Sequence, residues 1–250
     1  MCGIVGIVVD ASVETARAVA GAMAERIHHR GPDGGGVIAH PDATLAMKRL
    51  AIVDVPDGHQ PMANDDESVV IVYNGEVYNA PQLRAELIAR GVRFRTRSDT
   101  EVILRLYEAD PDRVEKHLVG MWAFAIHDRR RRRLVLSRDR FGIKPLFIAR
   151  AGRTVAFASE LSCFDRTFAP ISSCFEIDHR PQRTPDETLN LRPARIGVPG
   201  LRPGLSLRGG RRQHDVLGRD PPAGLVVFHP RGQVSGNRCG AEHDRAALFP

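Results

Sequence analysis

No hydrophobic run in these 250 residues approaches the roughly 18 that a membrane span requires. The N-terminus also lacks the basic-then-apolar layout of a secretory leader, and the expected compartment is the cytoplasm. Cysteine is scarce. Cys2, Cys163, Cys174 and Cys239 show no CxxC spacing and no cluster with histidine, so neither a zinc site nor a disulfide framework is expected. Aromatic residues make up 6% of the chain, and no basic stripe is interleaved with them. The formal net charge of +6 is therefore a weak argument for nucleic acid. The densest basic run, Arg129–Arg133, lies between two apolar stretches and reads as a charged hairpin turn.

Beyond about residue 165 the shortages deepen. No lysine, tyrosine or tryptophan occurs there, whereas ten of the seventeen prolines and thirteen arginines do. Apolar periodicity is gone except in the short Gly224–Phe228 run. Such a stretch buries too little surface to offset the entropy of ordering its backbone. The expected organisation is a folded domain over residues 1–164, then a largely irregular Arg/Pro/Gly-rich tail over residues 165–250.

What the chain does have begins at its second residue, in the opening MCGIVGIV. The small side chain at position 2 permits removal of the initiator methionine, leaving Cys2 with both a thiol and a free α-amino group. That amine, with a reference pKa of about 7.7–8.0, can take the thiol proton near neutral pH. The resulting thiolate attacks carbonyl carbon well. A plainer reading of the same residues is the buried start of a β-strand.

Periodicity predicts the elements of the first domain. Ile4–Val9 is a continuous apolar run, read as a strand covered on both faces. Val13, Ala16, Ala20, Met23 and Ile27 form one helical stripe. Strands are expected at Gly36–Ala39, Thr44–Met47, Leu50–Val53, Val69–Tyr73, Met121–Ile126, Leu134–Ser137, Leu146–Ala149 and Val155–Ser159. A second helix is expected over about Pro81–Arg90, and a third opens at the capping-box stretch Ser98–Glu101. Many antiparallel-type strands with few helices indicate an α+β domain.

Five further segments join MCGIVGIV. They are HHRGPD (28–33), KRLAIVD (48–54), VYNGEVYN (72–79), RSDTEVI (97–103) and SRDRFGIKPLF (137–147). In this order and spacing the six closely resemble the N-terminal glutaminase domain of glutamine-dependent asparagine synthetase, a class II glutamine amidotransferase. The likeness runs from Met1 to the AFASE segment ending at Glu160, about two-thirds of the chain. Hexosamine-forming and purine-forming amidotransferases share the terminal Cys-Gly and an Asn-Gly but not this combination. β-Lactam synthetase-like relatives lack the cysteine.

The resemblance implies an N-terminal-nucleophile hydrolase fold, an αββα sandwich of two antiparallel sheets. It implies that Cys2 attacks the side-chain amide of L-glutamine, with the Asn74 side chain and the Gly75 N–H as oxyanion donors. Outside this context Asn-Gly is the strongest short hairpin signal. Arg49 is expected to hold the substrate α-carboxylate and Asp99 its α-ammonium. Asp99 also fits plain electrostatics at a helix N-terminus. Leu50, Ile52 and Val53 are expected to line the pocket, with Glu76 at its rim; a strand packed into the core is the alternative. Arg30 and Asp33 would orient the loop beside the nucleophile, and Arg138, Asp139, Arg140 and Lys144 would form a buried or interdomain charge network. His28, His29 and His59 invite a Cys–His dyad, but an N-terminal cysteine carries its own base.

The glutaminase reaction needs no cofactor or metal; ATP and Mg belong to the synthetase domain of such proteins. No Ser-Gly-Gly-x-Asp-Ser loop is present here, and the break after Glu160 reads as a shifted frame or a truncation. The expected partners are glutamine, a synthetase domain or subunit in trans and a second copy of the chain, with neither nucleic acid nor membrane. Two rival readings remain: a non-catalytic remnant that binds glutamine or a synthetase subunit, and a basic tail that acts on its own.

Overall fold

The computed structural model describes residues 1–151 and 153–164, with the backbone of four short strands beyond them. The opening apolar run becomes β1 (Gly3–Val8), with Ile4 in one apolar cluster and Val5 and Ile7 in another. That is the two-sided cover its composition requires. α1 (Val13–Arg26) begins where Ser12 accepts the Thr15 N–H at 3.2 Å, and it buries Ala16, Ala20 and Met23. There follow β2 (Gly34–Ala39), β3 (Thr44–Arg49), β4 (Met62–Ala63), β5 (Val69–Val77), α2 (Ala80–Ala89), α3 (Asp99–Ala109), β6 (Gly120–Asp128), β7 (Arg133–Arg138), β8 (Phe147–Ala151) and β9 (Thr154–Ala158). Ser98 caps α3 by accepting the Glu101 N–H at 3.3 Å. The return half of the capping box differs: the buried Glu101 carboxylate takes the N–H groups of Arg95 and Thr96.

The last strands are β10 (Ser173–Glu176), β11 (Arg192–Pro193), β12 (Gly224–Phe228) and β13 (Val234–Gly236). All pairings are antiparallel. One sheet has the order β11-β10-β8-β9-β1-β3-β2 and the other β13-β12-β7-β6-β5-β4. Gly224–Phe228, the apolar run of the tail, pairs with β7. Apart from these four strands, the expected irregular tail lies outside the described residues.

Three apolar clusters define four layers. Ile4, Leu45, Met47 and Phe157 of the first sheet meet Val70, Val72, Ala125 and Leu136 of the second. α1 covers the outer face of the first sheet through Ala20, Met23 and Ala24. α2 and α3 cover the second through Leu83, Leu87, Ile103 and Tyr107. This is the expected αββα sandwich. Alternation along β5 sends Val69, Ile71 and Tyr73 to the helices and Val70 and Val72 to the facing sheet.

One sequence expectation is corrected, and the hairpin alternative for Asn74-Gly75 is excluded. Leu50–Val53 is not a strand: regular pairing stops at Arg49, and Ile52 and Val53 are 74% and 45% exposed. The Arg49 side chain turns the chain back, donating to the carbonyls of Val55 (3.0 Å), Val53 (3.2 Å) and Asp54 (2.8 Å). Asn74-Gly75 is not a hairpin turn but the interior of β5, opposite Ala123 and Trp122. The arginine run is the turn foreseen, joining β6 to β7.

The loop from β7 to β8 is built on Asp139, which is 1% exposed. Its carboxylate accepts the N–H groups of Phe141, Ile143, Lys144 and Trp122 at 3.0, 2.9, 2.9 and 3.3 Å. Arg138 donates to the Lys144 and Gly142 carbonyls at 2.9 and 2.7 Å. These buried charges organise the loop backbone, while Arg140 is half-buried at its edge. Asp139→Ala is expected to cost about 3 kcal/mol, because it strips backbone donors of a charged acceptor. Urea denaturation checks this; a loss below about 1 kcal/mol contradicts it.

Candidate active site

Cys2 stands just before β1, half-buried between the two sheets. The HRGPD turn positions it. Arg30 Nε donates to the Cys2 carbonyl at 3.1 Å, and Arg30 Nη1 to Glu160 at 2.9 Å. His29 meets the same Glu160 oxygen at 2.9 Å. Partial burial raises the Glu160 carboxyl, but the hydrogen bonds from Arg30 and His29 outweigh it and hold the group below its usual range. The bracing this carboxylate provides is present above the ordinary carboxylate pKa and is lost as pH falls through the depressed one.

Asp33 holds the chain on the other side of the sulfur. Its Oδ2 accepts the Ala51 N–H at 2.9 Å, and its own N–H donates to the Arg49 carbonyl at 3.0 Å. Gly31 lies so close to β3 that a Cβ there would stand 2.4 Å from the Lys48 carbonyl. So fixed, Leu50 presents its N–H to Cys2 Sγ at 3.4 Å, with its carbonyl at 3.6 Å. Leu50 thus reaches the site through its backbone.

Asn74 is 1% exposed, and its Nδ2 has no hydrogen-bond partner among the described residues. By strand parity it faces the same inter-sheet cluster as Val72 and Cys2. The Gly75 N–H is placed by register. Trp122, opposite Gly75, sends both its N–H and its carbonyl to Asp139, so it forms no ladder bond with β5. Gly75 therefore points its N–H to the other edge of β5, where β4 pairs only with Val70 and Ile71. The neighbouring N–H groups on that edge are taken by side chains, Tyr73 by Gln60 and Val77 by Asp99. Glycine is required at 75, since a Cβ would meet the Met121 carbonyl at 2.2 Å.

Asp99 opens α3. Burial pushes its carboxyl above the usual range, against hydrogen bonds from the Tyr73 hydroxyl and the Val77 N–H. Glu76 is exposed at the end of β5. The Arg49 guanidinium is engaged with loop carbonyls, which differs from the open carboxylate fork expected of it. His28, His29 and His59 are exposed, and the hydrogen bonds of Cys2 Sγ go to the Leu50 backbone. Lys144, 6% exposed, donates from Nζ to Met1 Sδ at 3.1 Å. The structure thus gathers Cys2, Leu50, Arg30 and Asp33 at one place and Asn74, Gly75 and Asp99 at the end of β5. Sequence reasoning missed Tyr73, Gln60 and the brace role of Glu160. A buried tyrosine needing a partner was the available signal for the first.

A cavity of about 340 Å³ between α1 and β2, lined by Glu25, His28 and Lys48, includes neither Cys2 nor Leu50, Asn74 or Asp99. Among the described residues no group of three His, Cys, Asp or Glu side chains could hold a metal ion. No helix there is long and apolar enough to cross a membrane.

A family model described as a glutamine amidotransferase domain matches residues 1–180. The glutamine-hydrolysing asparagine synthetase 2 of Bacillus subtilis is 38% identical over 174 residues, covering 68% of this chain and 23% of that protein. Asparagine synthetase 2 of Oryza sativa is 41% identical over 163 residues, covering 64% and 27%. The chain thus spans about a quarter of the length of these relatives. Among solved structures, the glutamine phosphoribosylpyrophosphate amidotransferase of B. subtilis complexed with ADP and GMP superposes with a TM-score of 0.66 at 19% identity, over 98% of this chain and 50% of that one. An allosteric regulatory enzyme of purine biosynthesis gives 0.57 at 24%, over 66% and 43%. Both share the fold.

Proposed function

The chain belongs to the glutamine amidotransferase domain family, and from that membership we propose that it hydrolyses the side-chain amide of L-glutamine through Cys2. Residues 1–164 carry the chemistry. Removal of Met1 frees the Cys2 α-amine, which takes the thiol proton. Sγ bonds to the amide carbon as the carbonyl electrons move onto oxygen, and the oxyanion settles between Asn74 Nδ2 and the Gly75 N–H. The amine returns its proton to nitrogen, the C–N bond breaks and ammonia leaves. Water, deprotonated by the same amine, then cleaves the thioester to glutamate and thiol. Arg49 and Asp99 take the substrate's α-carboxylate and α-ammonium, with Leu50, Ile52, Val53 and Glu76 around them.

The single observation that supports this reading is the orphaned Nδ2 of buried Asn74. A buried donor without an acceptor costs about 1–3 kcal/mol, which makes sense if an oxyanion forms there. The test is ammonia release from glutamine by the purified chain. Glutamine binding without ammonia release favours the binding-only alternative. The ammonia would serve an asparagine-synthetase-type reaction, with aspartate and ATP engaged by a synthetase domain or subunit, in the cytoplasm.

The raised pKa of Asp99 sets a pH dependence. Only the ionised carboxylate pairs with an ammonium, and this one takes up its proton at a less acidic pH than an ordinary aspartate does. The KM for glutamine is therefore expected to climb as pH falls, before ordinary carboxylates titrate, with kcat less affected. A KM that stays flat down to about pH 4, the ordinary aspartate range, contradicts this.

A further inference from the structure

Burying a tyrosine is costly unless its hydroxyl finds a partner. Tyr73 is 3% exposed, and its hydroxyl donates to Oδ2 of Asp99 at 2.8 Å. The Val77 N–H reaches the same oxygen at 3.1 Å. Among the described residues no other side chain donates to this carboxylate. These two donors converge on one oxygen, and the N–H groups of Asp99 and Thr100 at the start of α3 also act on the carboxylate.

Tyr73 is itself held firmly. Its N–H donates to Gln60 Oε1 at 2.7 Å, and Gln60 Nε2 donates to Thr100 at 3.2 Å, next to Asp99 in the first turn of α3. Its ring packs so near Gly75, two residues on, that a Cβ there would stand 2.8 Å from Cε2. β5 and α3 are thereby tied together beside Asn74. Phenylalanine would fill the same volume, so the hydroxyl is present for its hydrogen bond and not for packing.

We propose that Tyr73 is a positioning residue for substrate selectivity, orienting the Asp99 carboxylate so that it receives the α-ammonium of glutamine. This rests on the proposed glutamine hydrolysis, and it adds how a substrate bearing that ammonium is preferred to one without it. Without the hydroxyl the carboxylate loses a donor in a buried setting and can rotate about its Cβ–Cγ bond. The ammonium contact weakens, while the amide end of the substrate is held as before.

Glutamine and glutaramate, the same amide without the α-amino group, separate these effects. Tyr73→Phe in the full chain is expected to lower kcat/KM for glutamine about tenfold, through KM, and to leave glutaramate unchanged. A packing role would lower both alike. Equal losses on the two substrates, no loss on either, or a loss confined to kcat overturns the proposal. A wild-type chain that releases no ammonia from glutamine overturns the underlying reading with it, which tells the two failures apart. Should Tyr73→Phe not fold, Asp99→Asn, of equal size, must collapse the glutamine-to-glutaramate ratio in the same way; a wild-type ratio there overturns the proposal.

Discussion

Cys2→Ala abolishes ammonia release from glutamine, an expected loss of about 10⁶-fold, the scale seen when a covalent nucleophile is removed. The argument combines chemistry with position. The sulfur lies against the Leu50 backbone, on a residue whose carbonyl is pinned by Arg30. Mass spectrometry of the purified protein supplies the companion result. Met1 is 55% exposed, so its peptide bond is accessible to processing, and the mature chain is expected to begin at Cys2. If Met1 stays on, the nitrogen of Cys2 is a planar amide with no basic lone pair, and the proposed proton transfer has no base. Folded protein that retains Met1 and still hydrolyses glutamine contradicts the mechanism, as does full activity in Cys2→Ala.

Asn74→Ala is expected to lower kcat by about 10²–10³-fold with little change in KM, because the donor acts on charge that develops only after attack. The stability of the same variant should move the other way. Asn74 Nδ2 is buried and unpartnered, so deleting it removes a desolvation penalty of about 1–3 kcal/mol while opening only a small void. The thermal midpoint is therefore expected to hold or rise. Activity lost without stability lost is the signature of a donor kept for the reaction. Parallel loss of both would mark Asn74 as an ordinary structural residue, and retained kcat would remove it from the chemistry.

Much of the fold was legible because local rules agreed with the global one. Ser98 caps the helix that the Ser98–Glu101 stretch announces, and the stripe of Ala16, Ala20 and Met23 faces a sheet. The one failed strand is equally physical. Leu50–Val53 looks like a strand because it is apolar, yet the Arg49 guanidinium takes the carbonyls of Val53, Asp54 and Val55 and the segment leaves the sheet. Asn74-Gly75 by itself signals a turn, and pairing with Ala123 and Trp122 keeps it extended against that local preference. No local preference encodes a partner so far along the chain.

The order of residues alone determined most strands and helices of the first domain, because periodicity, capping and residue type act over a few neighbours. The segments proposed to carry the chemistry were picked out by their resemblance to the glutaminase family. Tertiary structure decided which donors stand free. The Gly75 N–H faces an edge without a strand because β4 is short and Trp122 is bound to Asp139. Arg30 meets Glu160 across 130 positions of sequence. Hydrogen-bond satisfaction is settled only when distant segments close on one another, and this site depends on the donors that closure left unpaired.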